Sequence, residues 1–270
     1  MGTILNLTTA FEGISSMRIS QIKNQVLKAQ EFFDELWHMY NQLRVDQLFR
    51  FGRAHEDAAI DKELFIAITA EGGFSGDIDQ KLINWMLESY DPEKQDIIIV
   101  GHHGAIQLTQ AGVTYKKYYK LPEKDQNINV VPLVKQVHDY RSTTVYYQTY
   151  VSLMVQDIKR IEVRKAVQEA GSRVDKSQEI IDEGSYIFEP STFAVVAHLE
   201  QSMVEITLSQ AILESKLAQY ASRFRAMSMA KTKATQSHDQ LHLLYNQTKR
   251  SLADERLKEI INGMKKAHIS

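Results

Sequence analysis

Two stretches of this chain contain neither glycine nor proline, and their length limits what it can fold into. One runs between Gly13 and Gly52 and the other from Ser191 to Asn262; all four prolines (Pro92, Pro122, Pro132 and Pro190) lie between them. Glycine and proline are the main punctuation of helices, so both ends of the chain read as long unbroken helices. The apolar spacing agrees. Ile22, Val26, Ala29, Phe33, Leu36, Tyr40 and Leu43 recur in steps of four and three, as do Ile4, Leu7, Phe11 and Ile14 upstream, the two series shifting phase near Arg18. Toward the other end, Val196, Leu199, Met203, Ile206, Gln210, Leu213, Leu217, Tyr220, Phe224 and Met227 form one seam. It continues through Lys231, Ala234, His238, Leu241, Tyr245, Thr248 and Leu252, where polar residues interrupt it.

Helix length then sets an expectation for architecture. A helix over 192–263 would be roughly 110 Å long at 1.5 Å per residue. A compact globule of 270 residues has a radius of gyration of only roughly 18 Å. The helix is therefore expected to project as a rod. A lone rod is marginal in water, and the N-terminal helix is its natural partner. The alternative is two ordinary helices separated by a loop.

The middle of the chain changes style. Leu64-Phe-Ile-Ala-Ile-Thr69 and Asp96-Ile-Ile-Ile-Val-Gly101 read as buried strands. Thr143–Tyr147, Ile158–Val163 and Tyr186–Pro190 read as further strands, the second of these half-exposed. Helices are expected over 78–90, 103–111 and 130–140. Alternating strands and helices imply an α/β domain with a mostly parallel, Rossmann-like sheet. It would be inserted between the helices of a long antiparallel coiled coil, giving 1–58 as the N-terminal helix, 59–190 as the α/β foot and 191–270 as the C-terminal helix.

Composition excludes several classes. There is no cysteine, which removes disulfides, thiolate chemistry and cysteine metal sites. Net charge is −2, so the whole chain offers no electrostatic case for nucleic acid. No apolar run is long enough to cross a bilayer, and the N-terminus lacks the pattern of a signal peptide. The C-terminal segment differs from the whole: from Ser215 to Ser270 there are eleven basic residues against four acidic ones. A basic rod end suggests an acidic partner surface, against the plainer reading of a solvated face with surplus charge.

Three patterns resemble sites without completing one. Glu71-Gly-Gly-Phe-Ser-Gly76 sits between a strand and a helix, where phosphates bind, but it lacks the Lys-Ser/Thr of a P-loop and reads as a tight turn. His238-Asp-Gln-Leu-His242 resembles the zinc-protease HExxH with Asp in place of Glu and no third ligand; it reads as a solvated helix face. His102 and His103 are adjacent and point in different directions on a helix. No catalytic residue, cofactor-binding residue or metal ligand is assigned.

Five segments together carry a family resemblance. Tyr186-Ile-Phe-Glu-Pro190 looks like Tyr-x-x-Glu-Pro. Ser222-Arg-Phe-Arg-Ala-Met227 is similar to Ala-Arg-x-x-Ala-Met. Leu244-Tyr-Asn-Gln-Thr-Lys249 with Leu257–Gly263 is similar to Tyr-Asn-x-x-Arg…Glu-Ile-x-x-Gly. Ile68–Gly76 resembles Ser-Asp-Arg-Gly-Leu-Cys-Gly-Gly, and Ile14–Arg18 resembles Ile-Thr-x-Ala-Met-Lys. In this order and spacing they resemble the gamma subunit of F-type ATP synthases along nearly the whole chain.

That resemblance implies a non-catalytic central rotor stalk, carrying torque between an ion-driven membrane ring and the catalytic head. It implies alpha- and beta-type head subunits, an epsilon-type subunit and a c-type ring as partners, with no cofactor, no nucleic acid and no membrane insertion of its own. The expected location is peripheral, on the cytoplasmic face of the cell membrane. Carried over residue by residue, the expected contacts with the head are Met17, Arg18, Arg223, Met227, Lys249 and Arg250, the arginines and lysine facing acidic levers. The tip, 5–18 with 248–270, would sit in the head on an apolar bearing, and the foot would contact the ring. Lys249 stands for the family's Arg and Arg250 for its Gln, and Ser228–Lys233 departs from the family's Lys-Ala-Ala-Thr-Asp-Asn. The rival expectations are a nucleotide-dependent enzyme built on the α/β domain and an unrelated coiled-coil scaffold.

Overall fold

The structure, a computed structural model, describes residues 2–42, 60–125, 128–172, 189 and 191–267. The elements run α1 (Gly2–Gln42), β1 (Ile60–Ile68), α2 (Ile78–Glu88), β2 (Gln95–Val100), α3 (His102–Gln110), β3 (Lys117–Tyr119), α4 (Val131–His138), β4 (Tyr140–Tyr150), β5 (Gln156–Glu162), α5 (Val163–Ser172) and α6 (Thr192–Ala267). Both expected terminal helices are present and unbroken, α1 over 41 residues and α6 over 76. The phase shift near Arg18 does not interrupt α1. Expected helix beyond Gln42 and the Tyr186–Pro190 strand lie outside the described residues, Glu189 excepted. The chain divides into two units, Gly13–Ala226 and Met1–Glu12 with Met227–Ser270.

In the first unit the sheet order is β3-β2-β1-β4-β5. β1 pairs in parallel with β2 and β4, β2 in parallel with β3, and β5 closes the edge antiparallel to β4. The central strands are covered on both faces, which is why Leu64–Ile68 and Ile97–Val100 read as continuous apolar runs rather than as alternation. On one face Phe65, Ala67, Ile97 and Ile99 pack against Leu82, Ile83 and Met86 of α2 and Ala105 and Leu108 of α3. On the other, Leu64, Ile66, Ile68, Val145 and Tyr147 meet Leu133, Val134 and Val137 of α4 and Val204, Leu208, Ala211 and Ile212 of α6. β5, an edge strand, is half-exposed as expected, but its exposure does not alternate strictly: Ile158 packs toward one face of the sheet and Ile161 toward the other.

Three features were not anticipated. β3 is only three residues long, too short for a periodic signal. β4 runs to 11 residues, extending the expected strand at both ends. α5 begins at Val163, where a strand was expected to end.

α1 and α6 run antiparallel. Ile19, Ile22, Val26 and Ala29 pack with Leu213, Leu217 and Tyr220. Further along α1, residues 30–38 face 207–214 of α6 across a cavity. Phe33 and Trp37 lie stacked, one turn apart, with ring centroids 6.4 Å apart.

A connecting loop reaches both helices. Asp125, almost fully buried, pairs with the equally buried Lys216 of α6 and lies 3.3 Å from Arg18 of α1. Lys216 also donates to the Pro122 carbonyl at 2.8 Å. A buried ammonium is tolerable only with such partners, since an unpaired charge away from water is expensive.

Candidate functional site

Doubly wound sheets bind ligands outside the carboxyl ends of the strands, in the crevice where strand order reverses. Here that point lies between β1 and β4, and the protein fills it with its own side chains. Asp79, in the first turn of α2, is 1% exposed. It accepts hydrogen bonds from Gln148 Nε2 of β4 at 2.6 Å, the Ala70 N–H at 3.3 Å and the Ser75 hydroxyl at 3.4 Å. His103 Nδ1 of α3 approaches it at 3.0 Å. Donors from the β1–α2 loop, α3 and β4 thus converge on one side chain.

The network continues into α6. Gln148 Oε1 accepts from the Ser215 hydroxyl, and Gln219 Nε2 donates to Ser215 at 2.9 Å. Gln148, Ser215 and Gln219 are all buried. One turn on, the Ser222 hydroxyl donates to the Ser75 carbonyl at 2.6 Å. Ala211, Ser215, Ala218 and Ser222 are small residues spaced four, three and four apart, all buried. They form a second stripe on α6, beside the large-residue seam. That stripe brings the helix backbone close to the sheet and its loops.

The glycine turn is held by α6 as well. Arg223 donates from Nε to the Gly73 carbonyl at 3.1 Å and from a terminal nitrogen to the Gly72 carbonyl at 3.3 Å, and its guanidinium lies 5.3 Å from the Tyr220 ring centre. A phosphate cradle offers N–H groups to its anion. Here carbonyls are turned toward a cation, the reverse of such a cradle. Phe74 in this turn has φ of 69° and is 60% exposed, an uncommon backbone for an aromatic residue. Gly101 has φ of 101°, and a Cβ there would lie 2.1 Å from the Thr69 carbonyl oxygen, so β1 and β2 can end this close together only with glycine.

His103 is the titratable group this arrangement shifts. Its hydrogen bond to Asp79 raises its pKa above the ordinary imidazole value, with Glu71 in support and burial and Arg223 opposing. His102 is exposed and takes no part. Among the described residues no group of three or more histidines, cysteines or carboxylates is placed to hold a metal ion. No described helix is long and apolar enough to cross a membrane.

The expected contact residues fall in both units. In the first, Met17 is 54% exposed, while Arg18 and Arg223 are engaged by Asp125 and the glycine turn. In the second, Met227 is 8% exposed, and Lys249 and Arg250 are exposed on α6. Within that second unit Lys231 pairs with Glu12 at 3.0 Å. Its surface is unusually apolar for a charged helix: Leu244, Tyr245, Leu257, Ile260 and Met264 are each between 59% and 65% exposed. So large an apolar surface is the mark of an interaction surface.

The sequence had pointed to neither the Asp79 network nor the Asp125 bridge. The small-residue stripe on α6 was the available signal for the first; the second joins residues 107 positions apart and left none.

Comparison with known proteins bears on the whole chain. A family model described as ATP synthase matches residues 1–266. The ATP synthase gamma chain of Clostridium novyi is 21% identical over 272 residues, covering 95% of this chain and 91% of the relative. That of Staphylococcus haemolyticus is 25% identical over 76% of this chain and 73% of its own. Among solved structures, a chain of the central stalk and c-ring of the Tetrahymena thermophila mitochondrial ATP synthase matches with a TM-score of 0.61 at 16% identity, covering 83% of this chain and 99% of that one. A chain of the Euglena gracilis mitochondrial enzyme gives 0.56 at 19% identity, over 96% and 95%.

Proposed function

This chain belongs to the ATP synthase gamma family, and from that premise we propose that it is the central rotor stalk of a rotary F-type ATP synthase. It passes torque between an ion-driven membrane ring and a catalytic head. The observation that carries this reading is the pair of unbroken terminal helices, antiparallel and anchored in a Rossmann-like domain whose own ligand crevice is filled. Catalysis resides in the head subunits, and this chain contributes no catalytic group. A rotating asymmetric shaft favours a different state of each catalytic site at each angle, which is population shift by differential contact.

The partners are alpha- and beta-type head subunits, an epsilon-type subunit and the c-type ring. The complex sits on the cytoplasmic face of the cell membrane. Residues 5–18 and 248–270 enter the head. The exposed Leu257, Ile260 and Met264 supply the apolar bearing. Met17, Arg18, Arg223, Met227, Lys249 and Arg250 face the head, with the basic members toward acidic levers. The eleven basic residues from Ser215 onward favour such a surface.

Two measurements test this. Tagged chain should co-purify with alpha- and beta-type subunits from its own cell; their absence rejects the stalk reading. Lys249→Glu with Arg250→Glu should lower ATP-driven rotation in the reconstituted complex, and unchanged rotation rejects those two contacts. Arg18 and Arg223 give a less direct test, because each also holds an internal partner.

A further inference from the structure

We propose that His238 and His242 form a two-imidazole chelating site on α6 for a divalent transition cation of the copper, nickel and zinc class. The proposal stands apart from the rotor reading, which calls for no metal. Residues four apart on a helix project from the same face, one turn above the other. The two rings are near parallel, 16° apart in plane, with centroids 6.3 Å from each other. Both are exposed, so each can turn about its side-chain bonds until the two nitrogens meet one ion at about 2.0–2.1 Å. Imidazole is a preferred donor for these metals.

The Nδ1 of each ring has a polar neighbour. His238 Nδ1 lies 3.5 Å from the Asp239 carboxylate, an acceptor that favours the Nδ1–H tautomer and leaves the Nε2 lone pair outward. His242 Nδ1 lies 3.2 Å from the side-chain amide of Asn246. With the amide nitrogen donating, the ring proton sits on Nε2. Turning the amide over presents Oδ1 to an Nδ1–H and frees Nε2 for a metal. His238 thus has a carboxylate as its outer partner, and His242 gains an amide oxygen once Asn246 is turned over.

Among the described residues no third imidazole or carboxylate joins them. The site is therefore open, with water completing the coordination, and it is not the catalytic zinc arrangement that the spacing resembles. The nearest lysines, Lys233 and Lys249, lie five and seven residues away along α6, about 7 to 10 Å, where salt screens most of their repulsion. A bound ion would tie two successive turns of the helix together.

The test titrates Cu2+ into the full chain while following the histidine ring resonances by NMR and heat by calorimetry. The His238 and His242 signals should broaden first. His238→Ala and His242→Ala should each weaken the tightest site by about tenfold or more, since either removes the second donor of the chelate. Exchanging His242 with Leu243 keeps both imidazoles but sets them five apart, and it should weaken binding as much. All are exposed positions, so the fold is retained, and circular dichroism verifies it. If the exchanged variant or either alanine variant binds as tightly as the parent, or if other histidines broaden first, the proposal is overturned.

Discussion

Two stretches of α6 carry a similar share of large apolar residues and meet opposite surroundings. From Ala211 to Ser222 ten of twelve positions are buried. From Leu241 to Met264 every position but Asn246 is exposed, although leucine, isoleucine, tyrosine and methionine recur along it. The first stretch is enclosed because two stripes are used at once: leucines toward α1, and alanines and serines toward the sheet and its loops. The second has apolar residues and nothing among the described residues of its own unit to cover them. The difference teaches that apolar periodicity records which face of a helix seeks cover, and does not record which molecule supplies it.

The contrast can be broken by mutation, the largest effects falling in the enclosed stretch. Asp125→Ala strips the buried Lys216 of its partner and should cost about 3–5 kcal/mol; chemical denaturation of the full chain measures it, and a loss below about 1 kcal/mol would mean water takes over. Leu217→Ala should cost about 2–5 kcal/mol, whereas Leu244→Ala in the isolated chain should stay within about 0.5 kcal/mol. Equal losses would erase the comparison. Gln148→Leu leaves Asp79 and Ser215 without their shared partner and should cost about 1–3 kcal/mol.

A smaller effect depends on pH. His103 has its folded pKa raised above 6.5 by Asp79. Its contribution is fully present below the unfolded pKa near 6.5 and is lost as pH rises through the higher folded value. The stability gap between the parent and His103→Gln should therefore be widest below pH 6.5 and shrink above it. A gap that widens with pH would contradict the His103–Asp79 pair. Smallest of all, Lys249→Glu with Arg250→Glu should leave stability within about 0.5 kcal/mol while lowering rotation in the assembled enzyme.

The frame of the molecule was legible in sequence because its signals are local. The gaps between helix breakers marked α1 and α6, and unbroken apolar runs marked β1 and β2. Glycines at 72, 73 and 76 marked the turn after β1. The parts that escaped depend on distant residues. Asp79 carries no local mark of a hub, since its donors come from the β1–α2 loop, α3 and β4. Arg223 binds backbone carbonyls, which every residue possesses and no sequence distinguishes. β3 was too short to show a period, and α5 starts within what reads as a strand. The small-residue stripe of α6 was visible, but large apolar residues dominate any search for a buried face.

The second cover of the sheet is supplied by Val204, Leu208, Ala211 and Ile212, which follow the strands by tens of residues in the chain. During synthesis the β1–β5 region leaves the ribosome with one apolar face covered by α4 alone, and it stays so until α6 emerges. The mature packing thus dictates a late-closing folding order, rich in contacts between distant residues. Chains truncated before Val204 lack that cover and should accumulate as sticky intermediates, so this protein's yield in a cell depends on how quickly its last third is made.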